Sequence, residues 1–126
     1  MFLRFVTTQI DDCSRQPKGL FYAAHEFLYE GDLSKEEREM LEEILDWFNE
    51  NLPGPGRCFD PCRAVFWFKS QARECITRMW DLTIALRLHD YFVEVHKCGR
   101  QGNIIFEDDF QVAAYPSRKD GRITIM

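Results

Sequence analysis

The chain has 126 residues, 45% of them hydrophobic and 29% charged, and a net charge of −5. This length makes one domain, with a core that needs no metal or disulfide staple. The composition excludes a disordered chain, the acidic balance argues against a nucleic-acid partner, and no apolar run reaches the ~20 residues of a membrane helix.

Residues 2–8 (FLRFVTT) are apolar, aromatic and β-branched and predict a first strand, with IDDCSRQPKG following as a loop. A short helix is expected at about 19–30, with Leu20, Ala24, Phe27 and Leu28 on one stripe and Gly31 ending it. The second helix has the clearest signals. Ser34 and Glu37 have capping-box spacing, and Leu41, Ile44, Leu45, Phe48 and Leu52 repeat at helical intervals until Pro53. Its outer face carries Glu36, Glu39, Glu43, Asp46 and Glu50. That face reads as solvated surface, with docking of a basic partner as the alternative.

Residues 53–60 (PGPGRCFD) form a loop. The next stretch has two readings, because Asp60-Pro61 is a good helix start while AVFWF is rich in strand formers. We prefer a strand at 64–68 followed by a helix at 71–89 with Ser70 as its cap. Ala72, Cys75, Ile76, Met79, Leu82 and Leu86 would then face the core. Tyr91 to Lys97 alternates as a strand, GRQG (99–102) is a turn, and NIIFE (103–107) and FQVAAY (110–115) are strands around an Asp108-Asp109 reversal. The tail SRKDGRITIM is either an added edge strand or mobile. The order β-α-α-β-α-β-β-β describes a two-layer α+β sandwich, with three helices on one face of a mixed sheet of about five strands. The segment 64–97 would be a right-handed crossover and the last strands a meander.

Five cysteines make an odd number in no secreted-framework spacing, and MFLRFVTTQ lacks the h-region and cleavage site of a secretory signal. Reduced thiols and a cytoplasmic location are expected. Charge is uneven along the chain. Residues 1–52 carry 5 Lys/Arg against 12 Asp/Glu, and residues 53–126 carry 11 against 9. Opposed charges of this kind can attract within one fold or between two copies.

Phosphate-binding, HExxH, GxSxG and EF-hand patterns are absent, and no cofactor is expected. The one metal-like set is Cys58, Cys62, His96 and Cys98, four soft ligands whose C-x3-C half is wide for a zinc knuckle. His25, His89 and His96 read more simply as capping, surface or packed histidines than as partners of a nucleophile. Glu107, Asp108 and Asp109 suggest paired carboxylates, although two aspartates between apolar strands are ordinary turn chemistry. Lys69 after an aromatic run would meet an anion over a ring or snorkel at a strand end. Phe66, Trp67, Phe106 and Phe110 are candidates for a base-stacking sheet, but the basic groove this requires is missing.

The segments MFLRF, GLFYAA, DWFNENLP, AVFWFKSQA and GNIIFEDDFQVAAYP together resemble a family of small uncharacterised bacterial proteins. The resemblance implies a bacterial, cytoplasmic setting and no particular activity. Members of that family carry Arg-Pro-Gly or a similar turn where this chain has GRQG, so no role of that turn transfers.

No catalytic constellation outweighs its simpler reading. The reading this leaves is a non-enzymatic protein-interaction or regulatory module that pairs with itself as a homodimer, with no membrane partner. The alternative is a small enzyme or ligand binder with a pocket at the sheet edge, formed by Trp67, Lys69, Glu107, Asp108 and Gln111.

Overall fold

In the computed structural model, which describes residues 1–52 and 63–126, the longest strand is β1 (Phe2–Ile10). Leu3 and Phe5 are buried on one of its faces and Val6 on the other, the pattern of a strand inside a sheet. On one edge β1 pairs with β4 (Glu94–Cys98), from Phe2↔Cys98 to Val6↔Glu94. On the other it meets β3 (Val65–Lys69) only at Phe2↔Lys69 and Leu3↔Phe68, and β2 (Pro17–Gly19) takes over that edge from Val6↔Gly19. With β5 (Ile104–Glu107), β6 (Gln111–Ala114) and β7 (Ile123–Ile125), the sheet runs β5-β6-β3-β1-β4-β7, with β2 beside β1.

The α+β class and the three helices hold, but the sheet has seven strands rather than about five, and it is antiparallel rather than mixed. The mixed expectation assumed that β3 and β4 are neighbours. They run parallel to each other, but β1 lies between them and is antiparallel to both. The same insertion removes the meander, so among the last strands β5 and β6 form a hairpin and β4 pairs with neither. The two additional strands are β2, three residues that begin with a proline, and β7, which settles the two-way reading of the tail.

The helices α1 (Leu20–Glu30), α2 (Lys35–Asn51) and α3 (Arg73–Arg87) bury their apolar stripes against one sheet face. Leu20, Leu41, Leu82 and Leu86 are almost wholly buried there, and Phe48 touches both Phe21 and Phe68. Deleting such a side chain typically costs 2–5 kcal/mol, so this face holds most of the stability. Helix α3 begins at Arg73 after Ala72, not after Ser70. The backbone N–H of Ser70 donates to Met1 O, which extends the β1–β3 ladder and commits Ser70 to the sheet.

The other face has a smaller core of Val65, Trp67, Cys98 and Val112, with Phe2 packed against it. The strand order sends two connections across the sheet, 99–103 from β4 to β5 and 115–122 from β6 to β7. They bond to each other: Gly121 N–H donates to Arg100 O at 2.7 Å, and Gly102 N–H to the Asp120 carboxylate at 2.8 Å. A side chain at Gly102 would collide with Lys119, so this crossing requires glycine. What reads as a simple GRQG turn is half of this double strap.

Ser34 and Glu37 make the complete capping box at the start of α2. The Glu37 carboxylate also meets His89, whose ring packs on Phe27, so one side chain ties the start of α2 to the end of α3 and to α1. Replacing Ser34 with alanine should cost about 1 kcal/mol in denaturant unfolding. An unchanged midpoint would show that the cap is not formed. The bond to His89, then the bonds to Ser34, hold the Glu37 carboxyl below its ordinary value of 4.5. A depressed folded value stabilises above the unfolded one and loses that contribution as pH falls through the folded value. The stability difference between wild type and Glu37→Gln should therefore be present near neutral pH and shrink as the medium is acidified below 4.5. A difference independent of pH would mean the carboxylate charge is not what matters.

Candidate functional site

A cavity of about 470 Å³ lies where β1 exchanges β3 for β2. Arg4 and Phe5 fall between the two pairings and have no strand partner on that edge among the described residues. Both line the cavity, together with Gly19 at the end of β2 and Val65 to Phe68 of β3. Phe21, Phe48 and Met79 supply apolar walls from the helices, and His25 and Asn49 stand exposed at its border. This volume and lining suit a small molecule.

Arg4 is the one lysine or arginine in the lining among the described residues. It is half-buried, and its Nη2 donates to Pro17 O at 2.5 Å. No carboxylate approaches it within ion-pair distance among the described residues. Burial pushes its guanidinium down to about 10, opposed by the more distant charge of Asp11, and it stays cationic at neutral pH. The sequence carried a signal for this residue: an arginine set between Leu3 and Phe5 in an apolar strand has to find an unusual environment.

The five residues expected around a sheet-edge pocket are divided by the sheet. Trp67 packs in the smaller core, and Lys69 and Glu107, joined at 2.5 Å, lie on that same side by strand alternation. Gln111, paired with Phe68, points to the helical side and borders the cavity. Asp108 accepts from the backbone N–H groups of Phe110 and Gln111 at 2.7 and 2.9 Å and closes the β5–β6 turn. The Lys69 charge is thus matched, and the acidic run does turn work. Of the five, Trp67 and Gln111 reach the cavity. Trp67 is buried and Phe66 faces the opposite side, so these two aromatic residues do not share a stacking platform.

Cys58 and Cys62 lie outside the described residues. His96 and Cys98 share a face as their spacing predicts, yet His96 sits 3.5 Å from Glu94, and the Cys98 thiol donates to Arg100 O and Gly121 O. Among the described residues no group of three or more His, Cys, Asp or Glu could hold a metal. Burial, then the charges of Glu74 and Asp108, push the Cys75 thiol up, which makes it a poor nucleophile. The expectation of reduced thiols fails at Cys13, which is disulfide-bonded, whereas Cys75 and Cys98 are free and buried. Spacing along the chain does not reveal which thiols the fold brings together.

No helix among the described residues is long and apolar enough to cross a membrane. Compared with protein-family models, curated proteins and solved structures, the chain matches none.

A reductant should lower the melting temperature, because the Cys13 bond restricts the unfolded chain. Peptide mapping without reduction should recover Cys13 only in a cross-linked peptide, and a freely alkylated Cys13 in the native protein would refute the bond.

Proposed function

We propose that this protein is a non-enzymatic interaction module that associates with itself through the open edge of β7. The observation that carries this reading is the contrast between the two ends of the sheet. The β5 edge is irregular between Ile104 and Phe106 and ends in the charged Glu107, two devices that discourage pairing. The β7 edge (Ile-Thr-Ile) has neither. Ile123 is 43% exposed and Ile125 58% exposed, and Phe92, in the approach to the strand that β7 borders, is 63% exposed. Two copies related by a two-fold axis can pair β7 against β7, so that each supplies the same surface.

Charge has a secondary role in this reading. Lys97, Arg100, Arg118 and Lys119 belong to β4 and the strap, and Glu39, Glu43, Asp46 and Glu50 to the outer face of α2. Exposed pairs between such groups steer association but are screened over about 8 Å at physiological salt. Apolar and backbone pairing has to hold the dimer.

Light scattering at micromolar concentration should give twice 15.0 kDa, with modest weakening in high salt. A double variant, Ile123→Lys with Ile125→Lys, should return 15.0 kDa with an unchanged fold by circular dichroism. A monomeric wild type would overturn the reading. A second reading, a ligand-binding protein, is favoured by the cavity at the β1–β3 fork and is compatible with the first.

A further inference from the structure

The ligand-binding reading leaves the occupant of the fork cavity open, and the chemistry of its lining narrows the choice. Most of the wall is apolar, from Phe5, Phe21, Phe48 and Met79. The Arg4 guanidinium has five N–H donors, and among the described residues the one hydrogen bond its side chain makes is to Pro17 O. A half-buried cation whose only close partner among the described residues is a neutral carbonyl is poorly compensated there. Asp11 lies in the loop beyond β1, and its carboxylate accepts from Ser14 N–H at 2.8 Å without forming an ion pair with Arg4. The cavity therefore combines a large apolar volume with one under-used, fork-shaped cationic donor.

We propose that this cavity binds a small amphipathic monocarboxylate, with the apolar body among the phenylalanines and the carboxylate on Arg4. A guanidinium receives a carboxylate through two parallel hydrogen bonds, and a partly desolvated site strengthens them. A single negative charge suits the site, because Arg4 is the one lysine or arginine in the lining among the described residues. A fully apolar ligand would leave the guanidinium donors unmet.

The proposal rests on the ligand-binding reading, and calorimetric titration of the whole protein with octanoate and octanamide tests the two separately. Octanoate should bind at one per chain, and octanamide roughly tenfold or more weaker, the usual difference for a charge-assisted pair. Arg4→Met should abolish that preference and Arg4→Lys should keep most of it. If Arg4→Met does not fold, the wild-type comparison and Arg4→Lys decide. Gly19→Leu provides an independent variant: Gly19 lines the cavity and a Cβ there meets nothing within 4 Å, so a side chain can begin at this border without a clash at its first atom and should weaken both ligands. Failure of both ligands to bind overturns the ligand-binding reading itself. Equal binding of the two, or an octanoate preference that survives Arg4→Met, overturns the carboxylate assignment alone. Unchanged affinities in Gly19→Leu would place the binding elsewhere and overturn it as well.

Discussion

The architecture depends on how one edge of β1 is shared. A strand edge can satisfy one neighbour at a time, and β1 has β4 along one edge while β3 and β2 divide the other. Strands paired in a sheet lie about 4.8 Å apart, too close for anything to enter. Where β3 departs after Leu3 and β2 arrives at Val6, that spacing opens, and the gap at Arg4 and Phe5 becomes the cavity. The same division explains why an arginine is tolerated in the central strand. Its side chain emerges where the ladder is interrupted and reaches the first residue of β2 for a hydrogen bond. In an unbroken central strand the same charge would have no comparable outlet.

The strand order has a second consequence. The neighbours of the central strands are distant in sequence, so the chain crosses the sheet twice after β4, and these crossings roof the face that the helices leave bare. Trp67 and Cys98 are buried by connections, not by an element with its own regular ladder. The last crossing delivers β7 to the far edge beside β4, where it is short and apolar and has no second strand partner among the described residues. One routing choice therefore yields both the roof of the smaller core and the edge assigned to self-association.

Local order was well marked in the sequence. The capping box at Ser34 and Glu37, the stripes of α1 and α2, and the faces of Val93 and Val95 all follow from short-range periodicity, and each is found. Relations that depend on non-local pairing were not legible. Nothing in Pro17–Gly19 announces a strand, because three residues carry no period and their pairing is imposed by β1. Ser70 has the composition of a cap, but its backbone N–H is claimed by Met1, a contact no local window contains. Lys69, Glu107, Asp108 and Gln111 are linked in the sequence only by nearness in the chain and in the expected hairpin. The sheet does bring them to one end, then assigns them to an ion pair, a turn and the opposite face. Arg4 is masked for the converse reason, since Leu3, Phe5 and Val6 around it carry a strand pattern that one charge does not break.

The two proposed activities occupy different parts of the sheet. The fork lies between β1 and β3, and the open edge lies beyond β4, so β1 and β4 separate them. Pairing of β7 with a second copy would extend the sheet away from the cavity and leave His25 and Asn49 at its border exposed. Coupling between the two sites needs an element with two alternative arrangements that both of them bias. Within the sheet the two sites are joined by the β1–β4 ladder, paired at five consecutive residues from Phe2 to Val6, and its registry cannot slip by one residue without turning Leu3 and Phe5 out of the core. A ladder pinned in this way transmits position but does not switch. Ligand occupancy and association should accordingly be independent, each governed by its own local chemistry: one cation in an apolar gap, and one unblunted strand at the margin.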